Sequence, residues 1–267
     1  RLGMEMVADY ARRFDVHPNL PIMPSMSLGA GETTVLKLTS AYAMLVNGGR
    51  YISPEFIERI QDRHGLTIYT RDGRACEMCS EISWDQQPPP QLPDMREQIA
   101  DPLSAYQIVS MLEGVVIRGT GRSINELGKP IGGKTGTTNN FKDAWFNGFT
   151  KDLSTSVWVG FDNNDSMRMK SGKGLTGSSA AAPIWVHFMQ KALEGKTMVK
   201  FPVPENIKFE TVDVKTGRLP EEFSLEKMQV AVKNDIDLTP IPISNETSEN
   251  MTEISKEPEN FVDPSNP

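Results

Sequence analysis

The sequence predicts an α+β fold, an antiparallel sheet flanked by helices, and two observations carry that reading. Between residues 132 and 161, three runs with strand character are joined by short turns, which makes a meander rather than a strand feeding a helix. On both sides of them lie segments whose apolar residues recur at helical spacing.

The elements follow in order. Leu2 to Phe14 has helical spacing, and Thr33 to Val46 is a second helix, stopped by Gly48-Gly49 and preceded or capped by Glu32. Tyr51 to Tyr69 alternates as a hairpin around the turn Asp62-Arg63-His64-Gly65. Arg71 to Gln98 is polar and proline-rich, including Pro88-Pro89-Pro90, and reads as an inserted surface loop. Asp101-Pro102 opens a third helix in good N-cap and N1 form, which runs through Leu112 toward Gly119. The meander occupies the Gly132–Thr138 stretch, then Ala144 to Thr150, then Ser154 to Phe161. A fourth helix begins near Ser179 and runs through Pro183 and Trp185 to Leu193. Residues 1–195 thus make the core, 196–219 an extended linker and 220–267 an acidic tail.

With 267 residues and 38% hydrophobic content, there is material for one sizeable domain with an appendage. No run approaches the ~20 apolar residues needed to cross a bilayer, and Arg1-Leu2-Gly3-Met4-Glu5 lacks the form of a signal peptide. Net charge is −7, yet beyond residue 220 eleven acidic residues face three lysines. The acidity therefore belongs to the tail, whose five prolines and weak periodicity read as disorder. No basic patch supports a nucleic-acid partner.

The chemically richest stretch is Gly132-Gly133-Lys134-Thr135-Gly136-Thr137-Thr138. Strand alternation puts Lys134 and Gly136 on one face, Thr135 and Thr137 on the other. Gly136, lacking a Cβ, lets a ligand backbone approach, so an extended peptide can add itself along such an edge while hydroxyls and an ammonium fix its charged end. Gly128 and Gly133-Lys134-Thr135 partly match a phosphate loop, but that motif must lead into a helix, and here a turn and a strand follow.

Several motifs in order, Gly119-Thr120-Gly121, Lys134 to Thr138, Asp143-Ala144-Trp145-Phe146, Val157 to Gly160 and Gly177 to Trp185, resemble the transpeptidase domain of penicillin-binding proteins. The upstream run Met26 to Thr34, then Ala41-Tyr42-Ala43 and Asn47-Gly48-Gly49, is similar too, and the likeness is closest to bifunctional class A enzymes. The resemblance implies a serine acyl-enzyme formed on D-alanyl-D-alanine stem peptides of peptidoglycan, mimicked by β-lactams. It implies that Lys134 supplies positive potential and relays protons, and that Thr135 and Thr137 hydroxyls hold the terminal carboxylate. It also implies that the Thr137 N–H donates to an oxyanion, with Gly136 and Thr138 completing the strand. Trp145 either lines the cleft or fills core. The same resemblance implies a periplasmic location, a membrane anchor and a glycosyltransferase domain outside this chain, and cell-wall synthesis proteins as partners. No cofactor and no metal are called for.

Within residues 1–133 no Ser-x-x-Lys occurs, and Ser224-Leu225-Glu226-Lys227 follows the strand in the wrong order. Ser123-Ile124-Asn125 fits Ser-x-Asn in letters only, since it lies where the family has a connecting segment. In class A relatives Ser-x-Asn shortly precedes a run like Tyr10-Ala11-Arg12-Arg13-Phe14, so the chain is expected to start just after that motif and to be inactive alone. Cys76-Glu77-Met78-Cys79 allows half a zinc site, a redox pair or, the favoured reading, a disulfide stapling the inserted loop. The rival from another class is a non-catalytic interaction module that docks through the insertion and tail.

Overall fold

The computed structural model describes residues 3–74, 76 and 92–239. They form two units that divide between Ile207 and Lys208.

The first unit opens with α1 (Met4–Arg13). Helix α2 (Val35–Val46) is capped by Thr34, whose hydroxyl accepts the Lys37 N–H. The helix therefore starts two residues past the expected Thr33 and is capped by Thr34 rather than Glu32, while the Thr33 hydroxyl donates to the Val16 carbonyl at 2.7 Å. Phe14, Ala41, Met44, Ile99 and Ala100 form a small buried cluster here.

The expected hairpin is shorter than Tyr51 to Tyr69, with only β1 (Arg59–Gln61) and β2 (Thr67–Thr70) pairing. The Asp62 carboxylate fixes the turn by accepting from the N–H groups of His64 and Leu66. The reason for the shortening is that Tyr51 is taken up elsewhere. Its N–H donates to the Glu97 carbonyl, and Arg50 bridges Gln98.

Helix α3 (Pro102–Arg118) begins as expected, with the Asp101 carboxylate accepting the Ser104 N–H and proline in the first turn. It packs on β3 (Gly132–Thr137), which pairs antiparallel with β4 (Asp143–Phe149), itself paired antiparallel with β5 (Ser154–Gly160). The order β3-β4-β5 leaves β3 at an edge among the described residues. Gly132 and Gly133 are glycines for want of room: a Cβ there would lie 2.5 Å from the Phe149 ring and 2.7 Å from the Phe146 ring respectively. That absence of side chains lets β3 sit flush on the aromatic interior.

The fourth helix starts differently from expectation. A π-turn, Gly177–Ala181, precedes α4 (Ala182–Ala192), and Thr176 with Ser179 closes a capping box around its first residues. Pro183 has no N–H to return to the Ser179 carbonyl, so the regular ladder begins only beyond it. From α4, Trp185 and Met189 join Phe146, Val116, Ile124 and Ile131 in the main core. Trp185 meets Phe146 edge-on at 5.1 Å, and its indole N–H donates to the Thr155 carbonyl at 3.0 Å.

The second unit corrects two expectations. Residues 196–219 are not all extended linker, and the tail is not featureless from 220, because β6 (Ile207–Asp213) and β7 (Lys227–Lys233) form a two-stranded sheet. Prolines at 202 and 204 and the acidic average hid two seven-residue alternations. Val212, Ala231 and Val232 are buried in this unit, and Asp213 organises its turn by accepting from the N–H groups of Lys215 and Thr216. Residues 240–267 lie outside the described residues.

Candidate active site

The site is built on the edge of β3. Thr138 N–H donates to the Asp143 carbonyl at 3.1 Å, which marks that pair as one facing inward to β4. Antiparallel ladders alternate, and the register pairs Gly136 with Trp145, so Gly136 also faces β4 while Thr135 and Thr137 turn their N–H and C=O groups to the open edge. Consistent with this, the Lys134 ammonium donates to the Thr135 carbonyl at 2.9 Å. A strand edge with outward-facing main-chain groups, an exposed cation and two hydroxyls is thus present in one span of four residues.

Two other elements hold those hydroxyls. The Thr137 hydroxyl oxygen accepts the N–H of Gly177, the first residue of the π-turn, at 3.0 Å. The Thr135 hydroxyl lies 2.9 Å from that of Thr120, in the turn after α3. Because one lone pair of Thr137 is used, its own O–H stays free to donate to an acceptor at the edge. Gly177 must be this close: a Cβ on it would lie 2.3 Å from the Trp145 carbonyl and 2.6 Å from the Gly136 carbonyl.

The turn leaving β3 is tied by Asp143. Its carboxylate accepts from the Thr138 hydroxyl at 3.0 Å and from the Trp158 indole N–H at 2.8 Å, while its N–H donates to the Thr138 hydroxyl oxygen. Trp145 lies across from Gly136, its Cβ 3.1 Å from where a Gly136 side chain would begin, and its ring is tilted against Trp158 at 6.4 Å. It is half-buried, so it supports the strand from beside it and keeps part of its surface free. Asn147, opposite Lys134, is buried with its amide oxygen unpaired among the described residues.

The sequence-predicted residues Lys134, Thr135, Gly136, Thr137, Thr138 and Trp145 therefore converge on one edge and its turn. Cys76 is in a disulfide, while Cys79 lies outside the described residues. Ser123-Ile124-Asn125 belongs to a 3-10 turn in which Ile124 is fully buried as a core residue. Sequence reasoning missed Thr120 and Gly177 as supports of the hydroxyls. Their partners are 15 and 40 residues away, beyond any local pattern. An apolar groove of about 400 Å³ beside α1 and α2, lined by Tyr10, Phe14, Leu20, Met26 and Leu45, shares no residue with this edge.

A family model of the penicillin binding protein transpeptidase domain matches residues 23–190. Penicillin-binding protein 1A of Rickettsia bellii is 40% identical over 84% of the chain and 28% of its own length, and that of Neisseria gonorrhoeae 39% identical over 77% and 24%. The chain thus spans under a third of the curated relatives it matches. The crystal structure of penicillin-binding protein 1A from Haemophilus influenzae matches with a TM-score of 0.71 at 29% identity, covering 90% of this chain and 38% of that one. PonA1 of Mycobacterium tuberculosis, solved in complex with penicillin V, matches at a TM-score of 0.61 and 26% identity, over 76% of this chain and 53% of that one. With the edge strand, its hydroxyls and these matches in agreement, the chain belongs to the penicillin-binding protein transpeptidase family.

Proposed function

We propose that this chain supplies the carboxylate-binding wall of a D,D-transpeptidase that cross-links peptidoglycan stem peptides through a serine acyl-enzyme and is acylated by β-lactams. The observation that carries the reading is the β3 edge, where Thr135 and Thr137 present main-chain groups outward and hydroxyls already fixed on one side.

In this reading a D-alanyl-D-alanine end lies along β3 as an added strand. Its terminal carboxylate takes the hydroxyl protons of Thr135 and Thr137 and lies in the positive potential of Lys134. The outward N–H of Thr137 stabilises the oxyanion of the tetrahedral intermediate, a role worth about 3 kcal/mol per donor. Gly136 keeps the strand narrow at the point of approach, Thr138 holds the exit turn, and Trp145 borders the cleft. Lys134 completes a proton relay with a serine of the Ser-x-Asn motif.

The nucleophilic serine and that relay serine come from polypeptide other than residues 1–267, as no Ser-x-x-Lys precedes β3. The complete enzyme also carries a peptidoglycan glycosyltransferase domain and a membrane anchor, and works on the periplasmic side of the inner membrane with other cell-wall synthesis proteins. Residues 1–267 alone are expected not to label with a fluorescent penicillin, whereas the polypeptide that joins them to a Ser-x-x-Lys segment labels covalently. Labelling of residues 1–267 that survives denaturation would refute the placement of the nucleophile, and failure of the joined polypeptide to label would refute the transpeptidase reading.

A further inference from the structure

We infer that Thr120 is a positioning residue for ligand binding: its hydroxyl orients that of Thr135 so that Thr135 donates its proton to the ligand carboxylate. This rests on the reading of β3 as a carboxylate-binding edge.

The argument is one of proton counting. A threonine hydroxyl has one proton to give and two lone pairs to receive with. A carboxylate only accepts, so when Thr135 donates to it, the Thr135 oxygen has no proton left for its 2.9 Å contact with the Thr120 oxygen. That contact then requires Thr120 as the donor. The chain runs from the Thr120 O–H to the Thr135 oxygen, and from the Thr135 O–H to the carboxylate, and each bond in such a series polarises the next. Thr137 is treated in the same way by a different element, since the Gly177 N–H fills one of its lone pairs and leaves its proton outward. Two hydroxyls on one strand thus each receive a donor from behind.

The backbone around Thr120 is shaped to hold it there. Gly119 and Gly121 both return their N–H groups to the Val115 carbonyl at the end of α3, at 3.0 and 3.1 Å. A Cβ on Gly119 would lie 2.9 Å from the Val115 backbone, so the reversal closes as tightly as the chain allows. Because α3 packs on β3, the residue at the tip of the reversal is carried to the strand. Thr120 itself is exposed and belongs to no core cluster, so its side chain is not there to fill the interior.

The test uses residues 1–267, labelled with 15N, titrated with N-acetyl-D-alanyl-D-alanine and with its C-terminal amide while the amide shifts of Gly136 and Thr137 are followed. The wild-type chain is expected to prefer the acid over the amide. Thr120→Val, which keeps the shape and removes the proton, is expected to weaken the acid by about three- to ten-fold and leave the amide unchanged. Thr120→Ser restores the preference. A Thr120→Val chain with the wild-type acid-to-amide ratio, or a Thr120→Ser chain that behaves like valine, overturns the inference while the carboxylate edge stands. A wild-type chain that binds both probes equally overturns the carboxylate reading and this inference together.

Discussion

Replacing Gly177 by alanine tests whether the π-turn is a fitted part of the β3 edge. Its backbone angles are open to any residue, so the effect is one of space alone. The new methyl would start 2.3 Å from the Trp145 carbonyl oxygen, 2.6 Å from that of Gly136 and 3.1 Å from the Gly136 nitrogen. These are backbone atoms of two paired strands, so no side chain can swing aside, and the turn must retreat by about 1 Å to reach an ordinary contact. Overpacking of this kind costs about 1–3 kcal/mol, and the retreat also stretches the 3.0 Å bond from Gly177 N–H to Thr137, worth about 1 kcal/mol. The total of about 2–4 kcal/mol corresponds to a Tm lowered by roughly 5–15 °C for a chain of this size. Thermal unfolding by circular dichroism reads the loss, and 15N spectra read displacement at Gly136 and Thr137. Gly73→Ala is the control, since nothing lies within 4 Å of a Cβ there, and it should be neutral. A Gly177→Ala chain that melts within about 1 °C of wild type, with the Thr137 amide unmoved, would refute the account.

Two further perturbations address the interior and its charge. Trp185→Phe removes the donor to the Thr155 carbonyl and leaves a void beside Phe146, for a loss of about 2–4 kcal/mol in urea unfolding, and Trp185→Ala extends it to about 3–5. A phenylalanine variant as stable as wild type would show that the indole contact contributes nothing. Glu113 on α3 has its carboxyl pushed above the ordinary value of 4.5 by burial, with Lys200 pulling partly the other way. The unfolded chain then releases this proton first, so stability is full below about pH 4.5 and declines as pH rises through the higher folded value. Glu113→Gln is expected to flatten that decline between pH 4 and 7 in urea midpoints, and identical pH profiles for the two chains would count against it.

Much of this was legible in the sequence where a local rule governs. Asp101-Pro102 announced α3 because cap and first-turn proline act within four residues. The meander was readable because turn residues interrupt strand-forming runs, and β3, β4 and β5 follow in that order. What escaped notice was set at longer range. Thr34 rather than Glu32 caps α2, and Thr33 lies outside the helix with its hydroxyl donating to the Val16 carbonyl 17 residues away. Strands β6 and β7 were lost in averages of proline and charge, although Ile207, Phe209 and Thr211 alternate with polar neighbours along β6 for most of its length. The hydroxyls of Thr135 and Thr137 were visible as chemistry, but the groups behind them, Thr120 and Gly177, are brought there only by the packing of α3 and the π-turn.

The open edge of β3 sets a limit on how this surface can change. A strand edge offers its partner a fixed repeat of main-chain groups, about 3.3 Å per residue, and so reads backbone rather than side-chain identity. Any two ligands that pair with it share nearly the same footprint. Variation that bars one of them by moving the strand must move six paired positions on β4 with it and bars the other as well. Discrimination can therefore evolve only at the margins of the edge, in the turns and side chains around it, while the rail itself stays common to all comers.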